Sequence, residues 1–491
     1  MHKKHRMNLL DRRVFLASSA AVLAGLPSTG SAQTVTSKES PKLSARIAEF
    51  VTSFDLKAAP PLAIERARTA FVDTVGVTLA GSTEKVAEIV RDMVRVEGAA
   101  PTVSVIGSSL KTSPQLAALA NGVASHALDF DFTYTQGQLM APVIPALLPL
   151  AESTGATQAE TLAAFIVGFE VCSRLSRTNP THNGAGSWHG TSTIGAITAA
   201  AACARLLKLP AAVIPDTIGI AVSMASGVNA NYGTMTKPLH AGHAARNGMA
   251  AALLGSRGLT SNPAALEGRG GFFPSFARGI KWNAEPFDDL GRRFDLAEVG
   301  FKPKRYPCGG VIHTGIDAAL QIREELGPRV ADIVGIKAGI SKYAASRASE
   351  QYPTNMEAAK FNLQYAVAYA LAHGVPKLSS FEPEALKDER VKALARMIAV
   401  SIDPEFADAH QDYPTRVTVT LKDGRALERL VVYASGSARN PMSAEQMRGK
   451  FFDCAAHAGV DKPVADRIIG TLGRLGEQPS LGEFWPLLRR S

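Results

Sequence analysis

Residues 231–247, Asn-Tyr-Gly-Thr-Met-Thr-Lys-Pro-Leu-His-Ala-Gly-His-Ala-Ala-Arg-Asn, join a loop rich in glycine and threonine to an alanine-rich helix. Pro238 suits the first position of a helix and disfavours helical geometry at the residue before it, so Lys237 is predicted to lie just outside the helix. The free N–H groups and the dipole of a helix N-terminus attract anions. Lys237, with His240 in the first turn, therefore predicts a site for a small carboxylate.

Helical patterns of the same alanine-rich kind extend over residues 44–266. Apolar positions recur at helical spacing in five segments, which are residues 62–79, 115–128, 159–176, 194–209 and 241–255. Small residues along these helices allow neighbouring helices to approach closely. The pattern predicts a mainly α fold with a large all-helical domain.

The pattern changes near Arg269, and residues 300–440 are predicted to form a small α+β unit. Residues 333–340 alternate weakly as a strand, and residues 356–373 have helical spacing. Two alternating runs on either side of Asp423-Gly424 predict a β-hairpin. A final helix is predicted to begin after a Ser443 cap and to return to the helical domain.

The chain of 491 residues is longer than one compact core usually allows, so two domains are expected. It is 46% hydrophobic and 20% charged, which is ordinary for a globular protein. We find no basic patch interleaved with aromatic residues, so nucleic-acid binding is not predicted. A GxGxxG motif after a strand, a P-loop, a GxSxG motif and an HExxH motif are also absent from the sequence.

The N-terminus has the features of a twin-arginine signal. A basic start precedes Asp11-Arg12-Arg13-Val14-Phe15-Leu16, and the apolar run 16–26 is too short for a transmembrane helix. Gly30-Ser31-Ala32 predicts cleavage before Gln33, with a retained membrane anchor as the alternative. The mature chain is thus expected in the periplasm, without stable membrane insertion. Removing residues 1–32 takes away a net charge of +4 from the +9 of the full chain and leaves about +5, which fits an acidic substrate.

The four cysteines show no CxxC pair, so a metal ribbon is not indicated. Cys172 and Cys203 lie in apolar helical runs, where buried free thiols are expected. An oxidising compartment would permit a disulfide, but the sequence leaves its connectivity open.

Three other segments carry residues suited to acid–base chemistry or to anion binding. Residues 126–133, His-Ala-Leu-Asp-Phe-Asp-Phe-Thr, place Asp129 near Thr133 if the preceding helix continues; capping of a helix C-terminus is the alternative. Residues 186–195 place His189 at a helix start, where a structural histidine is the alternative. Residues 302–313 offer Lys304 and Arg305 as carboxylate clamps, with a solvated basic linker as the alternative.

Convergence of these junctions would create a pocket for a polyanion. A lysine partly desolvated there, and close to other cations, would have a lowered pKa and would suit a general base. Abstracting a proton next to a carboxylate also requires that the developing negative charge is stabilised.

Together these segments resemble the MmgE/PrpD family, which includes 2-methylcitrate dehydratase, cis-aconitate decarboxylase and iminodisuccinate epimerase. The matching stretches cover most of the mature chain in order: HALDFDFT, APVIPALLPLAE, GFEVCSRL, GSWHGTSTIGA, GTMTKPLHAGHAARNG, KRYPCGGVIHTGIDA and ARNPMSAEQMRGKF. The resemblance implies a large helical domain built from residues 33–298 and 441–491, a smaller α+β lid of residues 299–440, and a homodimer. It also implies an active site between the two domains that needs no cofactor.

The resemblance assigns roles to individual positions. The catalytic positions fall on six residues: Asp129, Thr133, His189, Lys237, Lys304 and Tyr343. Four more residues are predicted to bind the substrate: His240 and His313 match further motif positions of the family, Arg305 is a candidate clamp from its residue type, and Gln138 stands where the family has a histidine. One departure stands out, because the family usually reads Asp-Asp-Thr and then His-Pro-Ser before the APVIP stretch. Phe132 replaces an aspartate and Gln138 replaces the histidine, and a glutamine does not transfer protons near neutral pH.

The sequence favours a cofactor-independent lyase that removes water or carbon dioxide from a small di- or tricarboxylate. Lys237, Lys304 and His189 would bind carboxylates and move the proton on the adjacent carbon, while Asp129 and Thr133 would orient them. Isomerisation or epimerisation of a dicarboxylate would pass through the same carbanion-like intermediate and stays open. A catalytically silent carboxylate-binding or scaffold protein also stays open, because of Gln138 and Phe132.

Replacing Arg12 and Arg13 together by lysine is expected to prevent export, because the arginine pair is the feature that defines this signal. Cell fractionation followed by immunoblotting for the chain measures the periplasmic share. Arg6→Lys, in the basic start outside the pair, is the control and should leave export unchanged. If the Arg12→Lys/Arg13→Lys variant is exported like the wild type, the twin-arginine interpretation is wrong.

Overall fold

A computed structural model describes residues 42–135, 137–179, 187–277, 281–346, 351–409 and 412–490. The predicted signal, residues 1–32, lies outside the described residues. Among the helices of these ranges, none combines the length and the apolar character that crossing a membrane requires.

Helices dominate the chain as far as residue 298. They are α1 (Leu43–Ser53), α2 (Pro61–Gly81), α3 (Lys85–Glu97), α4 (Pro114–His126), α5 (Val143–Thr154), α6 (Gln158–Thr178), α7 (Gly190–Leu206), α8 (Ile214–Ser223), α9 (Thr236–Gly255), α10 (Phe272–Phe276) and α11 (Asp295–Glu298). All five helical segments predicted from the apolar spacing are confirmed.

A short antiparallel ribbon joins α3 to α4, so the expectation of an all-helical first part is wrong in this detail. It pairs β1 (Val103–Ser104) with β2 (Lys111–Thr112). The chain doubles back between the two helices, and its backbone groups pair with each other because buried N–H and C=O groups need partners.

Residues 299–440 contain the second sheet and the helices that cover it. These elements are α12 (His313–Leu326), β3 (Ile333–Ile340), α13 (Lys342–Ala345), α14 (Met356–Ala359), α15 (Leu363–His373), α16 (Glu389–Arg396), β4 (Ile398–Ile402), β5 (Thr415–Leu421) and β6 (Ala426–Val431). The strand order is β4-β3-β5-β6, with β3 and β4 parallel and the other pairs antiparallel. The predicted hairpin is confirmed as β5 and β6, with Gly424 at a φ of 82° in the turn.

The single helix predicted over residues 356–373 is instead two helices. The side chain of Asn362 accepts a hydrogen bond from the N–H of Tyr365 and begins α15 as an N-cap. A cap residue has non-helical geometry, so the chain breaks between α14 and α15. The predicted Ser443 cap is confirmed, and it begins α17 (Ala444–His457), which is followed by α18 (Lys462–Gly473).

Four hydrophobic clusters lie within the described ranges, and two of them are much larger than the others. The larger core contains Phe71 of α2 together with Phe451 of α17 and Ile468 of α18, so the C-terminal helices pack on the early ones. The second core lies between the sheet and α12 and α15, and it contains Ile316 and Val417. All four cysteines are buried and free.

Helices α4 and α9 cross at a contact between two glycines. A Cβ atom on Gly122 would lie 2.7 Å from the Cα of Gly242, and one on Gly242 would lie 2.5 Å from the carbonyl oxygen of Leu119. Real Cβ atoms do not approach so closely, so the spacing of the two backbones requires glycine at both positions. This crossing matters for the site because α4 ends at His126 and α9 carries Lys237.

Gly122→Ala is expected to lower the free energy of unfolding by about 2–3 kcal/mol, because the added methyl group forces the two helices apart. Urea denaturation followed by circular dichroism measures it. Gly470→Ala in α18 is the matched control, since a Cβ there meets no atom within 4 Å. That variant should be unchanged or more stable by up to about 1 kcal/mol. Equal stability of the two variants would contradict the close crossing.

Candidate functional site

The centre of the site is the turn that follows α4. The helix ends at His126, so the alternative of a helix C-terminus holds and the condition that the helix continues to Thr133 is not met, because Asp129 has a φ of +52°. This left-handed backbone geometry ends a helix, and aspartate is one of the few residues that tolerate it. The N–H of Asp129 donates to the carbonyl oxygen of His126 at 3.3 Å, which closes the turn.

The Asp129 carboxylate collects donors from three other segments. The Nζ of Lys237 lies 2.5 Å from Oδ1, and the Nε2 of Gln138 donates to the same oxygen at 2.8 Å. The Nζ of Lys304 lies 2.7 Å from Oδ2 and 2.6 Å from the carbonyl oxygen of Asp129. Lys237 and Lys304 were predicted to converge, and both do lie at the carboxylate of Asp129.

This cluster keeps Asp129 charged and carries excess positive charge. Burial alone would raise the pKa of Asp129, but Lys237, Lys304 and His126 hold it well below its ordinary value. One carboxylate between two ammonium groups leaves a formal charge of +1. Each ammonium has three N–H donors, so both lysines keep donors for another anion. The Lys237 side chain is 18% exposed and that of Lys304 only 7%, which makes Lys237 the more accessible of the two.

A pair of buried histidines lies beside the lysines. His189 directly precedes α7 and His240 lies in the first turns of α9, and their Nδ1 atoms are 3.0 Å apart. One ring must donate and the other accept, which requires that at least one imidazole is neutral. Burial lowers the pKa of His189, and the nearby charges of His126 and Lys237 lower it further. The pKa of His240 is also lowered, first by burial.

The exact start of α9 corrects one detail of the sequence analysis. The helix begins at Thr236, so Lys237 lies inside the first turn and its N–H donates to the carbonyl oxygen of Thr234 at 3.0 Å. Pro238 fits there because the first N–H groups of a helix have no partner within it. The predicted position of Lys237 at the helix N-terminus is confirmed, but not its position outside the helix.

Thr133 contributes to the site through its backbone, which pairs with the backbone of Lys302. Its N–H and carbonyl groups pair with those of Lys302 at 2.9 and 2.8 Å, and its hydroxyl donates to the same carbonyl oxygen at 3.4 Å. This bridge aligns the segment that carries Lys304 with the turn that carries Asp129. The expected contact between Asp129 and Thr133 side chains is replaced by this alignment.

Three of the predicted site residues lie away from the Asp129 carboxylate. Arg305 donates to the hydroxyl of Ser435 at 3.1 Å, and its guanidinium lies 3.6 Å from Asp317. The ring of Tyr343 stacks on that of Tyr413, with centroids 5.6 Å apart. His313 begins α12, and its Nε2 lies 3.3 Å from the carbonyl oxygen of Cys308. Burial lowers the pKa of His313 to about 3, and Lys304 adds to the shift.

Three buried groups around the turn were not assigned from the sequence. Asp131 pairs with His126, Lys450 of α17 donates to the carbonyl oxygen of Phe130 at 2.7 Å, and Lys360 lies between α14 and α15 with its pKa lowered by burial. Lys450 and Phe130 are 320 residues apart, so no local spacing could have linked them. Within the described ranges, no group of three or more His, Cys, Asp or Glu side chains is arranged to hold a metal ion.

Comparison with known families decides where the chain belongs. The MmgE/PrpD N-terminal domain matches residues 45–285, and the MmgE/PrpD C-terminal domain matches residues 306–471. The chain belongs to the MmgE/PrpD family. The N-terminal match includes Asp129, His189 and Lys237, whereas Lys304 lies between the two matches.

Relatives within the MmgE/PrpD family include proteins named as decarboxylases and proteins named as dehydratases. Cis-aconitate decarboxylase of Homo sapiens is 29% identical over 404 residues, which cover 79% of this chain and 82% of the relative. Cis-aconitate decarboxylase of Aspergillus terreus is 28% identical over 414 residues, 77% of this chain and 83% of the relative. 2-Methylcitrate dehydratase of Salmonella typhimurium is 27% identical over 221 residues, 43% of this chain and 44% of the relative.

Asp129→Asn is expected to lower the free energy of unfolding at pH 7 by about 3 kcal/mol, because it leaves two lysines without their shared counter-ion. A carboxyl group whose pKa is lowered by folding stabilises the protein above its unfolded pKa of about 4 and loses this effect as the pH falls through the folded value. The difference in the free energy of unfolding between the wild type and Asp129→Asn should therefore have its full size at pH 7 and should decrease below about pH 4.

Urea denaturation at pH 7 and at pH 3 measures both differences. Asp408→Asn is the control, since this carboxylate is exposed and its pair with Lys342 lies on the surface. Its effect should stay below about 0.5 kcal/mol at either pH. A wild-type advantage over Asp129→Asn that does not depend on pH would contradict the ionised carboxylate.

Proposed function

We propose that this chain is a lyase that removes carbon dioxide or water from a small tricarboxylate or dicarboxylate. The observation that carries the proposal is the meeting of Lys237 and Lys304 on one carboxylate, beside a hydrogen-bonded pair of buried histidines. The names of its relatives, a decarboxylase and a dehydratase of tricarboxylates, support the reaction class.

The electrostatics of the site suit a substrate with several carboxylates. The formal charge of +1 on the Asp129 cluster attracts an anion, and the unused N–H groups of the two ammonium ions can bind one. Lys237 lies in the first turn of α9 and His189 directly precedes α7, so the positive ends of two helix dipoles add to the attraction. A monocarboxylate would use only part of this set of donors.

Both eliminations place negative charge on a carbon next to a carboxylate. In decarboxylation the bond to the leaving carboxylate breaks, its electron pair stays on the carbon, and a proton is added there. In dehydration a base removes the proton and an acid protonates the departing hydroxyl. Lys237 and Lys304 would stabilise the negative charge, and the imidazole pair of His189 and His240 would transfer the proton.

Gln138 bears on which elimination is favoured. It donates to Asp129 and so helps to orient the carboxylate, but it cannot replace the proton transfer of a histidine. Decarboxylation needs one proton on the product carbon, whereas dehydration needs a base and an acid. Cis-aconitate is therefore the first substrate to test. Export to the periplasm, a homodimer and independence from cofactors stay predictions from the sequence.

The purified chain is expected to convert at least one acid of a panel of cis-aconitate, 2-methylcitrate, citrate, tartrate and aspartate. Proton NMR in deuterated water separates the outcomes, because decarboxylation and dehydration give different products. Deuterium uptake with inversion at the exchanged carbon would identify an epimerase. Binding without uptake or product would identify a silent carboxylate-binding protein and would contradict the proposal.

Lys237→Ala and His189→Ala should each lower kcat/KM by about 100-fold or more, because each removes a group that stabilises charge or transfers a proton. Lys85→Ala is the matched control, since this lysine is exposed and forms only a surface pair with Glu88. If turnover survives both site substitutions, the assignment of this site is wrong, whereas the proposed reaction class is unaffected.

A further inference from the structure

His126 and Asp131 form a buried pair beneath the site. The Nδ1 of His126 lies 3.0 Å from one carboxylate oxygen of Asp131 and 3.1 Å from the other, and both side chains are almost completely buried. A carboxylate accepts but does not donate, so this contact places a proton on Nδ1. The Nε2 of His126 is also buried, and no described residue forms a hydrogen bond with it.

The ring of His126 lies against His189. The two rings stack with centroids 5.6 Å apart and an angle of 28° between their planes. His189 in turn bonds to His240, and the edge of the Tyr232 ring meets it at a centroid distance of 5.0 Å. His189 is therefore held on several sides, and His126 is the neighbour that stacks on its ring.

A purely structural histidine does not account for this arrangement. A structural role would explain the hydrogen bond between His126 and Asp131. It would not explain the buried Nε2 of His126, because an unpaired polar atom costs free energy that an apolar ring such as phenylalanine would not. An imidazole held at Nδ1 by a carboxylate is instead the arrangement that orients a histidine for proton transfer in other enzymes. The Nε2 atom of His126 is too buried to touch a substrate, so its influence must pass through His189.

We propose that His126, held by Asp131, is a positioning residue that fixes the orientation of the His189 ring for proton transfer. The inference rests on the proposed function, in which His189 transfers the proton. The inference also bears on Gln138, which stands where the family has a histidine. In this chain the imidazole of His126 supports His189 from behind, whereas the family has a histidine at position 138.

The charges around His189 support this role. His126 and Asp129 face it from α4 and its turn, Lys237 and His240 face it from α9, and Tyr232 lies against its ring. Burial lowers the pKa of His189 most, and the electrostatic effect of His126 lowers it further, which favours the uncharged ring. Behind the pair, Lys450 lies 2.6 Å from Asp73 and balances the second buried carboxylate.

The test compares His126→Asn with the wild type. The asparagine amide can still donate to Asp131 from the position of Nδ1, but the variant loses the ring and Nε2. The kcat is expected to fall by about 10–100-fold with KM nearly unchanged, as for other residues that orient a catalytic group. Because the electrostatic effect by which His126 lowers the pKa of His189 is removed, this pKa should rise, and the acid limb of the kcat profile should move to higher pH.

Asp131→Asn should likewise lower kcat with KM nearly unchanged, because His126 then loses the carboxylate that holds its Nδ1 and with it the ring that stacks on His189. This second variant keeps the test decisive if His126→Asn does not fold. His373→Asn is the matched control, since His373 forms an exposed pair with Asp388 at 2.8 Å. Its kcat, KM and pH profile should equal those of the wild type.

Nitrogen-15 NMR of the histidine side chains tests the inference without turnover. The chemical shifts of His189 report its tautomer and its titration, and both should differ between the wild type and His126→Asn. Folded His126 and Asp131 variants with a wild-type pH profile and an unchanged His189 titration would overturn the inference. Absence of turnover in the wild type, with the expected change at His189, would instead reject only the proposed function.

Discussion

The contact of Asp129 with Lys237 and Lys304 is the interaction on which the rest of the site depends. It joins segments that are 108 and 175 residues apart in the chain. A buried charge is costly without its partner, so these three groups stabilise the folded protein only when all of them are present. The left-handed turn at Asp129 and the close crossing of α4 and α9 both serve to bring them together.

The turn after α4 is held at each of its residues by a different part of the protein. Lys237 and Lys304 contact Asp129, Lys450 contacts Phe130, and His126 contacts Asp131. Asp73 accepts from the N–H of Phe132, and the backbone of Lys302 pairs with that of Thr133. Lys450 comes from α17 and Asp73 from α2. The larger core and the site are thus connected through buried charges as well as through apolar contacts.

Much of this arrangement follows from local sequence signals. The spacing of apolar residues predicted the helices, and Asp423-Gly424 predicted the hairpin. Proline and glycine placed Lys237 and His189 at helix starts. The pairing of His126 with Asp131 was not predicted, because it depends on a backbone angle at Asp129 that helical spacing does not reveal. Arg305 lies next to Lys304 in sequence, but its guanidinium lies 3.6 Å from Asp317 instead of at the Asp129 carboxylate.

The glycine contact between α4 and α9 sets a distance with backbone atoms alone. Side chains near a substrate can therefore change without altering how far Asp129 lies from Lys237. Gln138 and Phe132 are the two departures from the family pattern named above, and the lysine pair still meets at the Asp129 carboxylate in their presence. Under the proposed function, such a fold separates the part that recognises carboxylates from the part that selects the reaction, so new reactions can evolve on an unchanged anion site.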